Sequence, residues 1–100
     1  MTFAKSVEGA VTVLRIEGSL DAMSTPELRP VLEELIAEKV PRVTVDLSQL
    51  RLIDSSGVGA IVSLYKRMRA QGCQVAVRGL RDQPLAIFRL LRLDRVFSTT

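Results

Sequence analysis

One hundred residues suffice for one domain and leave no room for a second, and a chain of this size buries roughly 60 to 65 percent of its unfolded surface on folding. With 47% apolar and 25% charged residues the composition is that of an ordered globular protein, since disordered chains are poorer in aliphatics and richer in net charge. The net charge of +3, from 14 basic and 11 acidic residues, comes with one Tyr and no Trp, so base-stacking platforms are missing and no nucleic-acid partner is expected.

Residues 3–7 read as a short edge strand. Glu8-Gly9 gives a turn before 11–17, where Thr12, Leu14 and Ile16 alternate with Val11, Val13 and Arg15, so the two segments predict a hairpin. Gly18-Ser19-Leu20-Asp21 leaves the strand. Ser24-Thr25-Pro26-Glu27 then offers an N-cap hydroxyl, an early proline and the glutamate of a capping box. Leu28, Val31, Leu32, Leu35 and Ile36 follow the spacing of one helical face, with Pro30 expected to cost a backbone hydrogen bond and to kink the first turns. This helix is expected to end near Lys39, before Pro41.

Val43, Val45 and Leu47 alternate with Arg42, Thr44 and Asp46, which predicts a strand with at least one buried face. In the following helix Val58, Ile61, Val62, Tyr65 and Met68 form the apolar stripe, and Gly72 is placed to stop it. Lys66, Arg67 and Arg69 fall in its last turns, where cations offset the negative end of the helix dipole. Cys73, Val75 and Val77 give one more strand, with Cys73 read as a small buried hydrophobe. Asp82-Gln83-Pro84 caps a last helix whose Leu85, Phe88 and Leu91 repeat at helical spacing, and the tail from Asp94 is left unassigned. The order β-β-α-β-α-β-α favours a mixed sheet whose parallel neighbours are joined by helical crossovers. Apolar runs are short and the chain begins Met-Thr-Phe-Ala-Lys, so neither a membrane span nor a signal peptide is expected, no direct membrane insertion is expected, and the expected location is cytoplasmic.

The chemistry concentrates in Asp54-Ser55-Ser56-Gly57-Val58-Gly59, which opens the second helix. The N–H groups of a first helical turn lack intrahelical partners and carry partial positive charge, so an anion such as a phosphorylated serine is stabilised there. Asp54, Ser55 and Ser56 are all good N-cap types, but capping needs one of them, and Gly57 and Gly59 in the first turn cost about 1 kcal/mol each relative to Ala. Such glycines let another backbone or a partner approach closely and leave the Ser56 hydroxyl unshielded. Val58 reads as the first residue of the core stripe or as a contact, helical spacing favouring the core. The chain has no histidine, so a Ser-His-Asp triad cannot form, and no lysine lies near Ser56 in sequence to act as base. Gly57-Val58-Gly59 also lacks the pattern of a phosphate-cradling nucleotide loop. An enzyme is not expected, and with one cysteine and no histidine neither is a zinc site or any other cofactor.

From Gly18-Ser19-Leu20-Asp21 through Val45-Asp46-Leu47, Ile53-Asp54-Ser55-Ser56-Gly57-Val58-Gly59 and Tyr65-Lys66 to Phe88, Leu91 and Leu93, the chain resembles the STAS-domain anti-sigma-factor antagonists. That resemblance implies a single α/β domain over residues 1–100, with a four-stranded mixed sheet and helices packed mainly on one face. It implies that the second serine of Asp-Ser-Ser-Gly, Ser56, is the phosphoacceptor, with Ser55 the weaker candidate. It further implies partner switching in bacterial transcription control. The unphosphorylated antagonist binds an anti-sigma factor that is also a serine kinase of the histidine-kinase-like ATPase type, phosphorylation breaks the complex, and a serine phosphatase restores it. Asp21 and Ser24 would lie at the Ser56 end of such a fold, and they read equally as turn and helix cap or as partner contacts. The partner-binding set is therefore Asp21, Ser24, Asp54, Ser55, Ser56, Gly57, Val58 and Gly59. The alternative is a non-switching STAS subunit of a lipid transporter or a stress-sensing assembly, which would share the fold.

Overall fold

The computed structural model describes residues 1–99. Strands β1 (Thr2–Glu8) and β2 (Val11–Leu20) form the expected antiparallel hairpin, with Glu8 opposite Val11. Helix α1 (Thr25–Ala37) leads to β3 (Arg42–Asp46), which lies parallel to β2. Strand β4 (Leu50–Ile53) and helix α2 (Ser55–Ala70) lead to β5 (Gln74–Arg78), parallel to β3. Helix α3 (Asp82–Leu90), a 3-10 turn at Leu93–Arg95 and a two-residue β6 (Ser98–Thr99) beside β5 complete the chain.

The α/β fold and the mixed sheet are as expected, and two further short strands join the four. The sheet runs β1-β2-β3-β5-β6, and β4 pairs with the far end of β2. Sequence reasoning ended β2 at Glu17, yet the strand continues to Leu20 through a register shift at Gly18, whose φ of +92° is a conformation open to glycine. Beyond this bulge Gly18, Ser19 and Leu20 take β4 as their parallel partner in place of β3. Leu50-Arg51-Leu52-Ile53 is a short segment whose burial does not alternate, Leu50 and Ile53 being buried and Arg51 and Leu52 exposed; it becomes a strand because the end of β2 supplies its hydrogen-bond partner.

The core lies on one face of the sheet. Leu14, Ile16, Val43, Val45, Val75 and Val77 meet Leu28, Leu32 and Leu35 of α1, Val58, Ile61, Leu64 and Met68 of α2, and Phe88 of α3 in one buried cluster that includes Cys73. In α2 the buried stripe is rotated slightly from the expected one: Ala60 and Leu64 are buried, while Val62 and Tyr65 sit at its rim. Leu64 and Tyr65 are adjacent and either fits helical spacing, so periodicity alone does not choose between them. Pro30 lies inside α1 on the exposed side, and the helix runs through it to Ala37.

Leu91 was expected on the core face of α3 and is 53% exposed. The helix stops at Leu90 and Arg92 turns the chain with φ +58°, so Phe97 arrives from the tail in its place. Its ring stands 5.9 Å from Phe88 and 4.9 Å from Tyr65, centroid to centroid, in the tilted arrangement aromatic pairs favour. Away from the core, Arg78 of β5 pairs with Glu8 and Asp46, and Arg67 of α2 holds Glu33 of α1 bidentately. Among the described residues no helix is long and apolar enough to cross a membrane.

Candidate functional site

Asp54 organises the start of α2. Its backbone is extended, and its Oδ1 accepts hydrogen bonds from the N–H groups of Ser56 at 2.9 Å and Gly57 at 3.1 Å, satisfying two of the orphan donors of the first turn. The other carboxylate oxygen, Oδ2, accepts from the N–H of Ala22 at 3.1 Å. The Asp54 N–H in turn donates to the carbonyl of Leu20 at 3.1 Å. One residue thus caps α2 and fastens it to the end of β2 and to the loop that follows.

That loop is built on Asp21. Its Oδ1 accepts from the N–H groups of Met23 and Ser24, each at 3.0 Å, and lies 3.1 Å from the Ser24 hydroxyl. The Ser24 N–H, the Ser24 hydroxyl and the Met23 N–H hold the Asp21 carboxyl below its ordinary range. Ser24 does not cap α1 with its side chain as its sequence position predicts. Its backbone is already helical, and its hydroxyl turns back to within 3.0 Å of the Ser19 carbonyl while accepting from the Asp21 N–H at 2.9 Å. Thr25 Oγ1 donates to the Asp21 carbonyl at 2.6 Å, and Met23 between them is 87% exposed.

Ser55 is exposed and Ser56 half-buried, and among the described residues neither hydroxyl takes a hydrogen-bond partner, in contrast to that of Ser24. Gly57 and Gly59, equivalent in sequence, differ in space. A Cβ on Gly57 would stand 2.7 Å from the Leu20 carbonyl oxygen and 2.8 Å from the side chains of Ile53 and Leu20, so the close approach that needs glycine is made by the chain's own β2. A Cβ on Gly59 would meet nothing within 4 Å. Val58 is buried in the core cluster, the reading its spacing favoured.

The structure therefore brings the Asp21–Ser24 loop and the Asp54–Gly59 segment to one end of the sheet through the Asp54–Ala22 bond. Sequence reasoning missed Gln83 there. The Gln83 amide receives the Ile53 N–H at 2.8 Å and donates to the Ile53 carbonyl at 2.9 Å, so it pairs with the last residue of β4 as a neighbouring strand would. In sequence Gln83 is only the second residue of a helix cap, and no local signal points to β4. Between these elements lies a groove of about 260 Å³ lined by Ser19, Asp21, Leu52, Asp54 and Gln83. Among the described residues no three His, Cys, Asp or Glu side chains are grouped to hold a metal ion.

With this geometry the family comparison is unambiguous, because the model described as "Mlab, STAS domain" matches residues 3–98. The chain belongs to the STAS domain family. Among curated proteins, the anti-sigma-B factor antagonist of Listeria monocytogenes is 25% identical over 83 residues, which is 83% of this chain and 73% of the relative. The STAS fold is shared with the crystal structure of an anti-sigma factor antagonist from Mycobacterium paratuberculosis, at TM-score 0.89 and 20% identity over 98% of this chain and 83% of that one. It is also shared with the Bacillus cell fate determinant SpoIIAA in its phosphorylated form, at TM-score 0.78 and 19% identity over 99% of this STAS domain and 91% of that chain.

Proposed function

We propose that this STAS domain is a non-enzymatic anti-sigma-factor antagonist that switches partners through Ser56. The observation that carries the reading is the Ser56 hydroxyl, without a hydrogen-bond partner among the described residues, at a helix N-terminus capped by Asp54 and next to the open surface left by Gly59. In its unphosphorylated form the chain binds a cytoplasmic anti-sigma factor that is also a serine kinase of the histidine-kinase-like ATPase type. The contact surface is formed by Asp21, Ser24, Asp54, Ser55, Ser56, Gly57, Val58 and Gly59. The buried members, Gly57 and Val58, act by holding the backbone of that surface in place.

The switch needs little motion. A phosphate on Ser56 adds about −1.5 to −2 charge at neutral pH, beside the Asp54 carboxylate that repels it and the helix N-terminus that partly compensates. The domain keeps its fold, because no buried group is disturbed. In an interface the same dianion must be desolvated, and a loss of about 3 kcal/mol weakens binding on the order of a hundredfold. A serine phosphatase resets the state.

The test is peptide mapping by mass spectrometry after incubation with Mg-ATP and source-cell lysate, in parallel for the parent chain and the S55A and S56A variants. The expected result is stoichiometric phosphate on Ser56, retained in S55A and lost in S56A. An unmodified chain in a lysate that phosphorylates a control antagonist would overturn the switch and leave the non-switching STAS subunit as the reading.

A further inference from the structure

A second groove, larger than the one beside Asp54, lies away from Ser56. It has a volume of about 470 Å³, within the range of small-molecule sites, and forms where the beginnings of β3 and β5 meet the last turns of α2. Ser56 and Arg69 stand at opposite ends of α2, about 20 Å apart at the helical rise. The cavity walls are chemically divided. Val11, Ala76 and Val96 supply apolar surface, and Arg42, Arg69 and Tyr65 supply polar surface.

The two arginines distinguish this cavity from an ordinary surface dent. Among the described residues neither Arg42 nor Arg69 pairs with a carboxylate, which they share with Arg29, Arg51, Arg81, Arg89, Arg92 and Arg95; what sets these two apart is that both line one cavity. Arg69 is nevertheless held in place: its Nη1 donates to the Tyr65 hydroxyl at 2.6 Å, and its guanidinium carbon lies 5.8 Å from the centre of the Tyr65 ring. Tyr65 is itself fixed by the Phe97 ring. A guanidinium oriented by a neutral partner and left without a counter-charge is prepared for an anion, because the entropy of ordering it has already been spent on folding.

We infer that this cavity binds a small amphiphilic anion, a carboxylate or phosphate monoester on an unbranched apolar body, with the head between Arg42 and Arg69 and the body against Val11, Ala76 and Val96. Arginine's planar fork matches both heads bidentately. The site is independent of the Ser56 reading, and neither fails with the other.

The experiment is a titration of the full chain followed by amide chemical shifts, with decanoate and decyl phosphate as probes below their aggregation concentrations. Decanol and inorganic phosphate are the controls. The expected result is saturable shifts at Val11, Arg42, Arg69, Ala76 and Val96 with either anionic probe, and binding at least about tenfold weaker for decanol and for phosphate alone, as expected when head and body both contribute. An R42Q/R69Q variant with an otherwise parent-like spectrum is expected to lose about tenfold in affinity or more. The inference is overturned if neither anionic probe saturates, if decanol binds as tightly as decanoate, or if the folded R42Q/R69Q variant binds unchanged.

Discussion

The carboxylate of Asp54 and the backbone N–H of Ala22 are 3.1 Å apart, a hydrogen bond across 32 residues of sequence that ties the loop after β2 to the first turn of α2. The same side chain caps the helix through Ser56 and Gly57. Asp54→Ala removes both functions and is expected to lower stability by about 1–2 kcal/mol, the upper part of the range for a lost N-cap, with a fall in Tm of about 4–8 °C per kcal/mol for a domain of this size. Asp54→Asn keeps a capping oxygen and is expected to lose less. Thermal unfolding orders the variants, and amide exchange at Ala22 and Met23, accelerated in Asp54→Ala, reports the freed loop.

Gly57 and Gly59 are expected to respond in opposite directions to the same substitution. Gly57→Ala drives a methyl group into the Leu20 carbonyl at 2.7 Å and is expected to destabilise the domain by about 1–3 kcal/mol. Gly59→Ala meets open space and gains helix propensity, an expected stabilisation of about 0.5–1 kcal/mol. Under the proposed function the added Gly59 methyl group also stands at the partner surface, so this more stable variant is expected to bind the anti-sigma factor less tightly. Urea denaturation measures the first effect and titration calorimetry with the partner the second.

The contrast between these glycines shows where sequence stops. That Asp54 caps a helix is legible, because an Asx residue before a three-and-four apolar stripe has one local explanation. That Ser55 and Ser56 open this helix is legible from the motif around them. Which glycine faces the protein and which faces solvent depends on where β2 ends, and that depends on β4, a four-residue strand whose burial does not alternate. Ser24 misled for a different reason: two local roles compete for its hydroxyl, and the turn formed with Asp21 and Ser19 wins over the helix cap. Gln83 meets Ile53 and Phe97 meets Tyr65, each some thirty residues away in the chain, and nothing in their own neighbourhoods announces it.

Acid sensitivity is expected to run through Asp46. Its burial alone would raise the carboxyl's pKa, but the Ser48 N–H and the Arg78 guanidinium outweigh this and hold it below its ordinary value. The folded-state pKa is therefore lower than that of the unfolded chain, near 3.9, so acid protonates the unfolded chain first. The contribution of Asp46 is complete above that value and is lost as pH falls through the lower, folded-state pKa. Asp21, depressed by its hydrogen bonds from Ser24, changes in the same sense. Denaturation free energies measured between pH 7 and pH 2.5 are expected to be flat down to about pH 5 and to fall below about pH 4. In Asp46→Asn the starting stability is lower and the acid slope shallower; an unchanged slope would remove Asp46 from this role.

Gln83 joins α3 to the strand that delivers Asp54. Its amide donates to and accepts from Ile53, the residue immediately before Asp54, and Asp82 beside it takes φ +54°, a conformation that costs a non-glycine residue energy. Gln83→Ala leaves the Ile53 N–H and carbonyl without their partner and is expected to cost about 1–3 kcal/mol, the range for stranding a poorly solvated polar group. Gln83→Glu keeps the acceptor for the Ile53 N–H but loses the donor to its carbonyl, so it is expected to recover only part of the loss. Asp82→Gly relieves the backbone conformation without touching the amide and is expected to leave stability unchanged or slightly raised. If the clamp positions the Ser56 segment as well as stabilising α3, Gln83→Ala shifts the amide resonances of Ile53 through Gly57 while Asp82→Gly does not, and a two-dimensional amide spectrum of each variant separates the two cases.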